Sequence, residues 1–130
     1  MDEKDRFDAG MDTRRAVLGS EHLKKANAST TKFDTEFQDL ITRYAWGEVW
    51  SRPGLPRPTR SLLTIAMLVA LQHWDELGMH IRASHNVGVS HEELKETLLQ
   101  CAIYCGVPAA NHAFQVAREV LADFDALPQR

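Results

Sequence analysis

The sequence predicts an all-α fold, a compact bundle of about six to seven helices. No run of four or more residues alternates apolar and polar side chains in a way that survives its flanks, so half-buried strands are not indicated. Apolar residues recur instead at helical spacing. Between these stretches stand start and stop signals: serine caps, a capping box, terminal glycines and prolines in the breaks. The chain has 130 residues, 44% of them hydrophobic, enough to build one core, which predicts a single domain over residues 1–130.

Taken in order, residues 3–18 form an amphipathic helix carrying Phe7, Met11, Val17 and Leu18, ended by Gly19. Ser20 is expected to cap a second short piece, residues 21–27, and this charged N-terminal third is expected to wrap the outside of the bundle. A third helix runs from about Thr35 to Trp50 with Phe37, Leu40, Ile41, Tyr44 and Val49 on its apolar side, and Gly47 is placed to end or bend it. Three prolines and a glycine in residues 51–58 remove helical donors and restrict the residues before them, which makes a loop. The following helix, 59–72, is apolar on every side. In a soluble chain such a helix belongs in the middle of a bundle or in a subunit interface, and so short a chain has little surface to surround it alone. The next helix, 74–87, stops at Gly88. Ser90 and Glu93 then form an S-x-x-E capping box for a helix over 90–104, striped by Leu94, Leu98, Cys101 and Ala102. Gly106 and Pro108 break the chain before the last helix, 109–126.

Composition excludes several classes. A net charge of -3 lacks the basic stripe of a nucleic-acid binder. The N-terminus is charged from its second residue and predicts neither a secretory signal nor a transit peptide. The longest uncharged run, Ser61 to Trp74, falls short of the about 20 residues of a bilayer span, so no membrane partner and a cytoplasmic location are expected. Cys101 and Cys105 are spaced CxxxC, which is neither a CxxC redox motif nor a zinc knuckle, and are expected to be buried reduced thiols.

Candidate chemistry concentrates in residues 72–82. On a helix, His73, Glu76 and His80 fall at i, i+3 and i+7, so all three are expected on one face. Imidazole titrates near neutrality and a carboxylate one turn away can orient it, which suits proton transfer; the alternative for each histidine is a structural or solvated role. Zinc ligation by the same trio is conceivable, but H-x2-E-x3-H is not a strong metal signature. Arg57 and Arg60 flank the start of the apolar helix, where unpaired N–H groups and the helix dipole favour anions. They are candidates for binding carboxylates, with solvation or surface ion pairing as the alternative. The aromatic cluster of residues 44–50 surrounds Glu48, and a carboxyl embedded there would gain proton affinity by desolvation, making it a second acid/base candidate. Trp46 of that cluster is the candidate substrate-binding aromatic, although such aromatics are also ordinary core. No G-x-S-x-G elbow and no glycine-rich phosphate loop appear.

The succession YAWGEVWSRPGLPRPTRSLLTIAMLVAL (44–71), with EL at 76–77, HIRAS at 80–84, NVGVSHEEL at 86–94 and YCGVPAA at 104–110, closely resembles the 4-carboxymuconolactone decarboxylase family of the protocatechuate branch of the β-ketoadipate pathway, over roughly residues 30–125. That family belongs to the alkylhydroperoxidase D-like superfamily, and the resemblance implies its helical bundle. Peroxidase members carry CxxC followed three residues later by histidine; here His73 and Glu76 replace the cysteines, and His80 holds the histidine position. The superfamily's proton-relay glutamate falls on Ser61. Peroxidase activity is therefore not implied.

What the resemblance implies is decarboxylation of a small lactone dicarboxylate that serves as its own electron sink, without pyridoxal, thiamine, metal or other cofactor. It implies that Arg57 and Arg60 hold carboxylates and His80 delivers a proton. His73 and Glu48 would polarise or orient the lactone while Glu76 steadies His80. It also implies a homo-oligomer, a trimer or hexamer with sites near the subunit boundaries. Two other readings stay open at this point: a cofactor-free lactone hydrolase or isomerase on the same scaffold, and a non-catalytic oligomeric binding or stress protein.

Overall fold

Seven α-helices and one π-helical segment make up the regular structure in a computed structural model that describes residues 1–124. They are α1 (Glu3–Leu18), α2 (Ser20–Ser29), α3 (Thr35–Leu40) running into the π-helix (Ile41–Trp50), α4 (Arg57–Leu71), α5 (Trp74–Asn86), α6 (His91–Tyr104) and α7 (Val107–Ala122). No strand occurs among the described residues, and no helix there is long and apolar enough to cross a membrane. The chain divides into two compact units, Met1–Arg57 and Pro58–Arg130.

In the first unit, Asp2 caps α1 by accepting the Asp5 N–H at 2.8 Å, and Glu3 and Asp5 complement the positive end of the helix dipole. Gly19, at φ 93°, ends α1 and also serves as the N-cap of α2, so Ser20 is the first helical residue and not the expected cap. Within this unit α1 buries Thr13, Arg14, Val17 and Leu18. It crosses the π-helix at two glycines, where a Cβ on Gly10 would overlap the Thr42 carbonyl and one on Gly47 the Arg6 carbonyl. Gly47 therefore permits a close approach inside the helix instead of ending it.

The π-helix also corrects the apolar face expected for residues 35–50. Its i→i+5 bonding shifts the angular phase of side chains from that of an α-helix. In the π-helix Tyr44 and Val49 are exposed, while Thr42, Trp46, Gly47 and Trp50 are buried; Phe37 and Leu40, on the preceding α3, are exposed as well.

In the second unit, Ile65, Val69, Leu77, Ile81, Leu94, Leu98, Cys101, Ala113 and Ala117 form one apolar core. Alanines at 109, 110, 113 and 117 give α7 a slim face that packs against α5 and α6. The buried residues of α4 are Ser61, Ile65 and Val69, and the helix leaves Leu63, Met67 and Leu71 exposed. The capping box of α6 forms as expected: Ser90 Oγ accepts the Glu93 N–H at 3.0 Å, and Glu93 Oε1 accepts the Ser90 N–H at 2.9 Å. Gly106, at φ 102°, turns the chain into α7, which starts at Val107 because Pro108 in the first turn needs no helical donor. Residues 125 and 126 of the expected last helix lie outside the described residues.

Candidate active site

The trio His73, Glu76 and His80 does not share one helix face. Gln72, at φ 59°, terminates α4 in the left-handed region, and His73 follows at φ -89°, ψ 82° as the N-cap of α5. It is not helical, so the i, i+7 relation to His80 does not hold. His73 and Glu76 are exposed, whereas His80 is 8% exposed, on the helix face that also buries Leu77, Ile81 and Ser84. A buried imidazole beside apolar side chains can exchange a proton with a bound molecule while water is kept away. Among the described residues no three His, Cys, Asp or Glu side chains are grouped as metal ligands.

Arg57 and Arg60 are the first and fourth residues of α4, where backbone N–H groups lack helical acceptors. Arg60 is half-buried, with its Nε shielded from solvent. Ser61, in the position of the superfamily's relay glutamate, is wholly buried and its Oγ has no hydrogen-bond partner among the described residues.

Within the first unit, Trp46 is buried and packs on Trp50, with ring centroids 5.1 Å apart. Glu48 does not sit in the apolar setting expected of it. Its Oε1 lies 3.2 Å from Arg6 Nε and 3.1 Å from Arg6 Nη2, its Oε2 lies 3.2 Å from Arg52 Nη1, and its side chain is 40% exposed. Two guanidinium groups thus occupy both carboxylate oxygens, an arrangement that anchors a carboxylate and leaves it poorly placed to abstract a proton. Arg6 also pairs with Glu3, which accepts the Tyr44 hydroxyl hydrogen bond and meets Arg43 Nε at 3.2 Å. Arg57 Nη2 donates to Thr13 Oγ1 at 3.3 Å; Thr13 Oγ1 is 2.7 Å from Ser51 Oγ, which donates to the Trp46 carbonyl at 2.7 Å. This relay ties the proline-rich loop to the π-helix.

Sequence reasoning missed Arg6 and Arg52 as partners of Glu48. Arg52 carried a signal, the i, i+4 spacing; Arg6, 42 residues away, carried none. It also missed the stacking of His112 on Trp74, with centroids 4.1 Å apart. A cavity of about 330 Å³ between α4 and α6 is lined by Leu62, Leu63, Ala66, Cys101, Tyr104 and Cys105 among others, and by none of the expected site residues. Burial and the neighbouring Cys105 thiol push the Cys101 thiol up to about 11, which leaves it protonated and unreactive near neutrality.

Residues 35–119 match the profile of the carboxymuconolactone decarboxylase family. The whole chain is 48% identical to 97% of a 4-carboxymuconolactone decarboxylase of Acinetobacter baylyi. Over 117 residues, 90% of this chain and 82% of the relative, it is 44% identical to a nitrosuccinic acid decarboxylase of Metarhizium robertsii. A 48-residue stretch, 37% of this chain, is 52% identical to the full span of a 4-carboxymuconolactone decarboxylase sequence of Pseudomonas putida.

Proposed function

The chain belongs to the carboxymuconolactone decarboxylase family, and we propose that it decarboxylates 4-carboxymuconolactone to 3-oxoadipate enol-lactone in protocatechuate catabolism. The observation that carries this reading is the 48% identity over the full chain to a relative of that name. The chemistry suits a protein with few acid/base groups. The γ carbon of the lactone bears the departing carboxylate, and breaking that C–C bond releases carbon dioxide and leaves an electron pair. The pair spreads through the ring double bond onto the lactone carbonyl oxygen as a dienolate. One proton added at the α carbon then gives the enol-lactone and restores the carbonyl. The lactone is the electron sink, so the protein binds anions, stabilises the developing oxyanion and supplies the proton.

His80 is the proton donor in this scheme, supported by its burial among apolar side chains. Arg60, in the first turn of α4, holds a carboxylate, supported by its charge and the unpaired helix donors beside it. The roles of Arg57, Trp46, His73, Glu76 and Glu48 rest on the resemblance alone, and the ion pairs of Glu48 favour orientation over proton transfer. The departing carboxylate belongs in a dry part of the site, because ion pairing it firmly would stabilise the ground state and slow its loss.

Assembly into a trimer or hexamer belongs to the same reading. Leu63, Met67 and Leu71 on α4, Leu99, Ile103 and Tyr104 on α6 and Val107 at the start of α7 are exposed, apolar surface that a neighbouring subunit would cover. The nitrosuccinic acid decarboxylase relative supports a second substrate reading, because a nitro group can also take up the electron pair left by carbon dioxide. The test is turnover of both compounds by chelator-treated protein. One carbon dioxide released per lactone, with little from nitrosuccinic acid, is expected; the reverse preference selects the second substrate, and no carbon dioxide from either overturns the proposal. Arg60→Ala should raise KM or lower kcat by the equivalent of about 2 kcal/mol, the size of a charged hydrogen bond.

A further inference from the structure

The first unit holds a cation with no counter-ion. Arg14 on α1 is more than nine-tenths buried, yet its guanidinium meets only neutral oxygens: Nη1 donates to Thr42 Oγ1 at 3.2 Å and Nη2 to Gln38 Oε1 at 3.0 Å. Its Nε is shielded from solvent and has no acceptor. Among the described residues no carboxylate lies within ion-pairing distance, and burial lowers its proton affinity. An arginine stays charged in proteins, so this is a buried charge that nothing within the unit neutralises. Joining α1 to Gln38 and Thr42 does not require a charge; a neutral amide could make the same bonds.

Arg14, Gln38 and Thr42 line a cavity of about 310 Å³ together with Asn27, Thr30 and Asp39. That volume is at the lower end of ligand pockets, about 300–1,000 Å³. Its wall combines one guanidinium, two side-chain amides, hydroxyls and a single carboxylate with the apolar side chains of Phe7 and Met11. The carboxylate sets the charge of any occupant: an anion on Arg14 neutralises the cation, whereas a second anionic group would face Asp39. A hydroxyl or ammonium group, by contrast, would find an acceptor there.

We propose that this cavity binds a small organic monocarboxylate bearing a hydroxyl or ammonium group, its carboxylate on Arg14 and its donor toward Asp39. The inference is independent of the decarboxylation reading, whose substrate is a dianion. Arg14 acts here as a binding residue outside the proposed chemistry.

The experiment is an NMR titration of the full-length protein with glycolate and, separately, succinate, reading the Arg14 Nε–Hε resonance assigned by its loss in Arg14→Lys. Glycolate should shift that signal saturably, and succinate should bind at least about tenfold more weakly because of the like charge at Asp39. Asp39→Asn, a change at a partly exposed side chain that leaves Arg14 in place, should remove the discrimination. A signal unmoved by glycolate, or equal binding of the two acids in the unaltered protein, overturns the proposal. So does a signal that moves with protein concentration and not with glycolate, because a carboxylate from a second copy then occupies the site.

Discussion

The two compact units are held by different physics. From Pro58 onward the chain packs a contiguous apolar core in which Ile65, Leu77, Ile81 and Leu98 are almost fully buried. The first unit buries fewer apolar side chains, Val17, Leu18, Leu23, Trp46 and Trp50, and adds two glycine-mediated close approaches and polar pairs: Arg6 with Glu3 and Glu48, Arg14 with Gln38 and Thr42, Arg57 with Thr13. Hydrophobic burial is non-directional and tolerates small shifts, whereas charged pairs and backbone-to-backbone contacts depend on geometry. The second unit should thus respond to lost volume and the first to added volume, salt and pH.

The largest effects test the two kinds of packing against each other. Leu77→Ala should cost about 3 kcal/mol by removing volume from a site with no exposure, read by urea unfolding. Gly47→Ala, which also removes a glycine from a helix, should nevertheless destabilise by about 2–3 kcal/mol because its methyl meets the Arg6 backbone. If Gly47→Ala is neutral or stabilising, as helix propensity alone would have it, the close approach is not what holds the first unit.

A smaller effect is expected at Arg6, whose side chain is 18% exposed and bridges two carboxylates. Arg6→Ala should destabilise less than either core change, and less again in high salt, where partly exposed ion pairs are screened. A loss independent of salt would point to packing by its aliphatic stem instead.

The smallest effect concerns pH. Burial, and then the charges of Arg14 and Lys25, lower the proton affinity of His22 in the folded chain. The unfolded imidazole, near about pH 6.5, therefore takes its proton first as pH falls. The stability contributed by neutral His22 is complete above that value and is lost on acidification through the lower folded value. His22→Gln should flatten this acid-side decline in thermal melts; an unchanged slope would assign the decline to other groups.

The same contrast explains what was legible in the sequence. The boundaries of α5 and α6 and the capping box follow from periodicity and caps, local rules that this part of the second unit obeys, whereas α7 starts two residues before its expected start and ends at Ala122. The exposure of Tyr44 and Val49 differs from the expected face because a 3.6-residue period does not describe a π-helix, and nothing in the residue types announced one. At the candidate site the residue types were legible, but their settings were not. His73 left the helix because Gln72 took a left-handed turn, and Glu48 found Arg6 across 42 residues. Long-range polar pairing leaves no periodic trace.

In the proposed reaction the electron pair left by carbon dioxide reaches the lactone carbonyl and is quenched by a proton at the α carbon. Turnover of 4-carboxymuconolactone in deuterium oxide, followed by NMR of the enol-lactone before exchange, tests it directly. One deuterium at the α carbon is expected for each carbon dioxide released, with His80→Asn slowing the reaction. Deuterium at the γ carbon, or an α carbon carrying only protium, would contradict it.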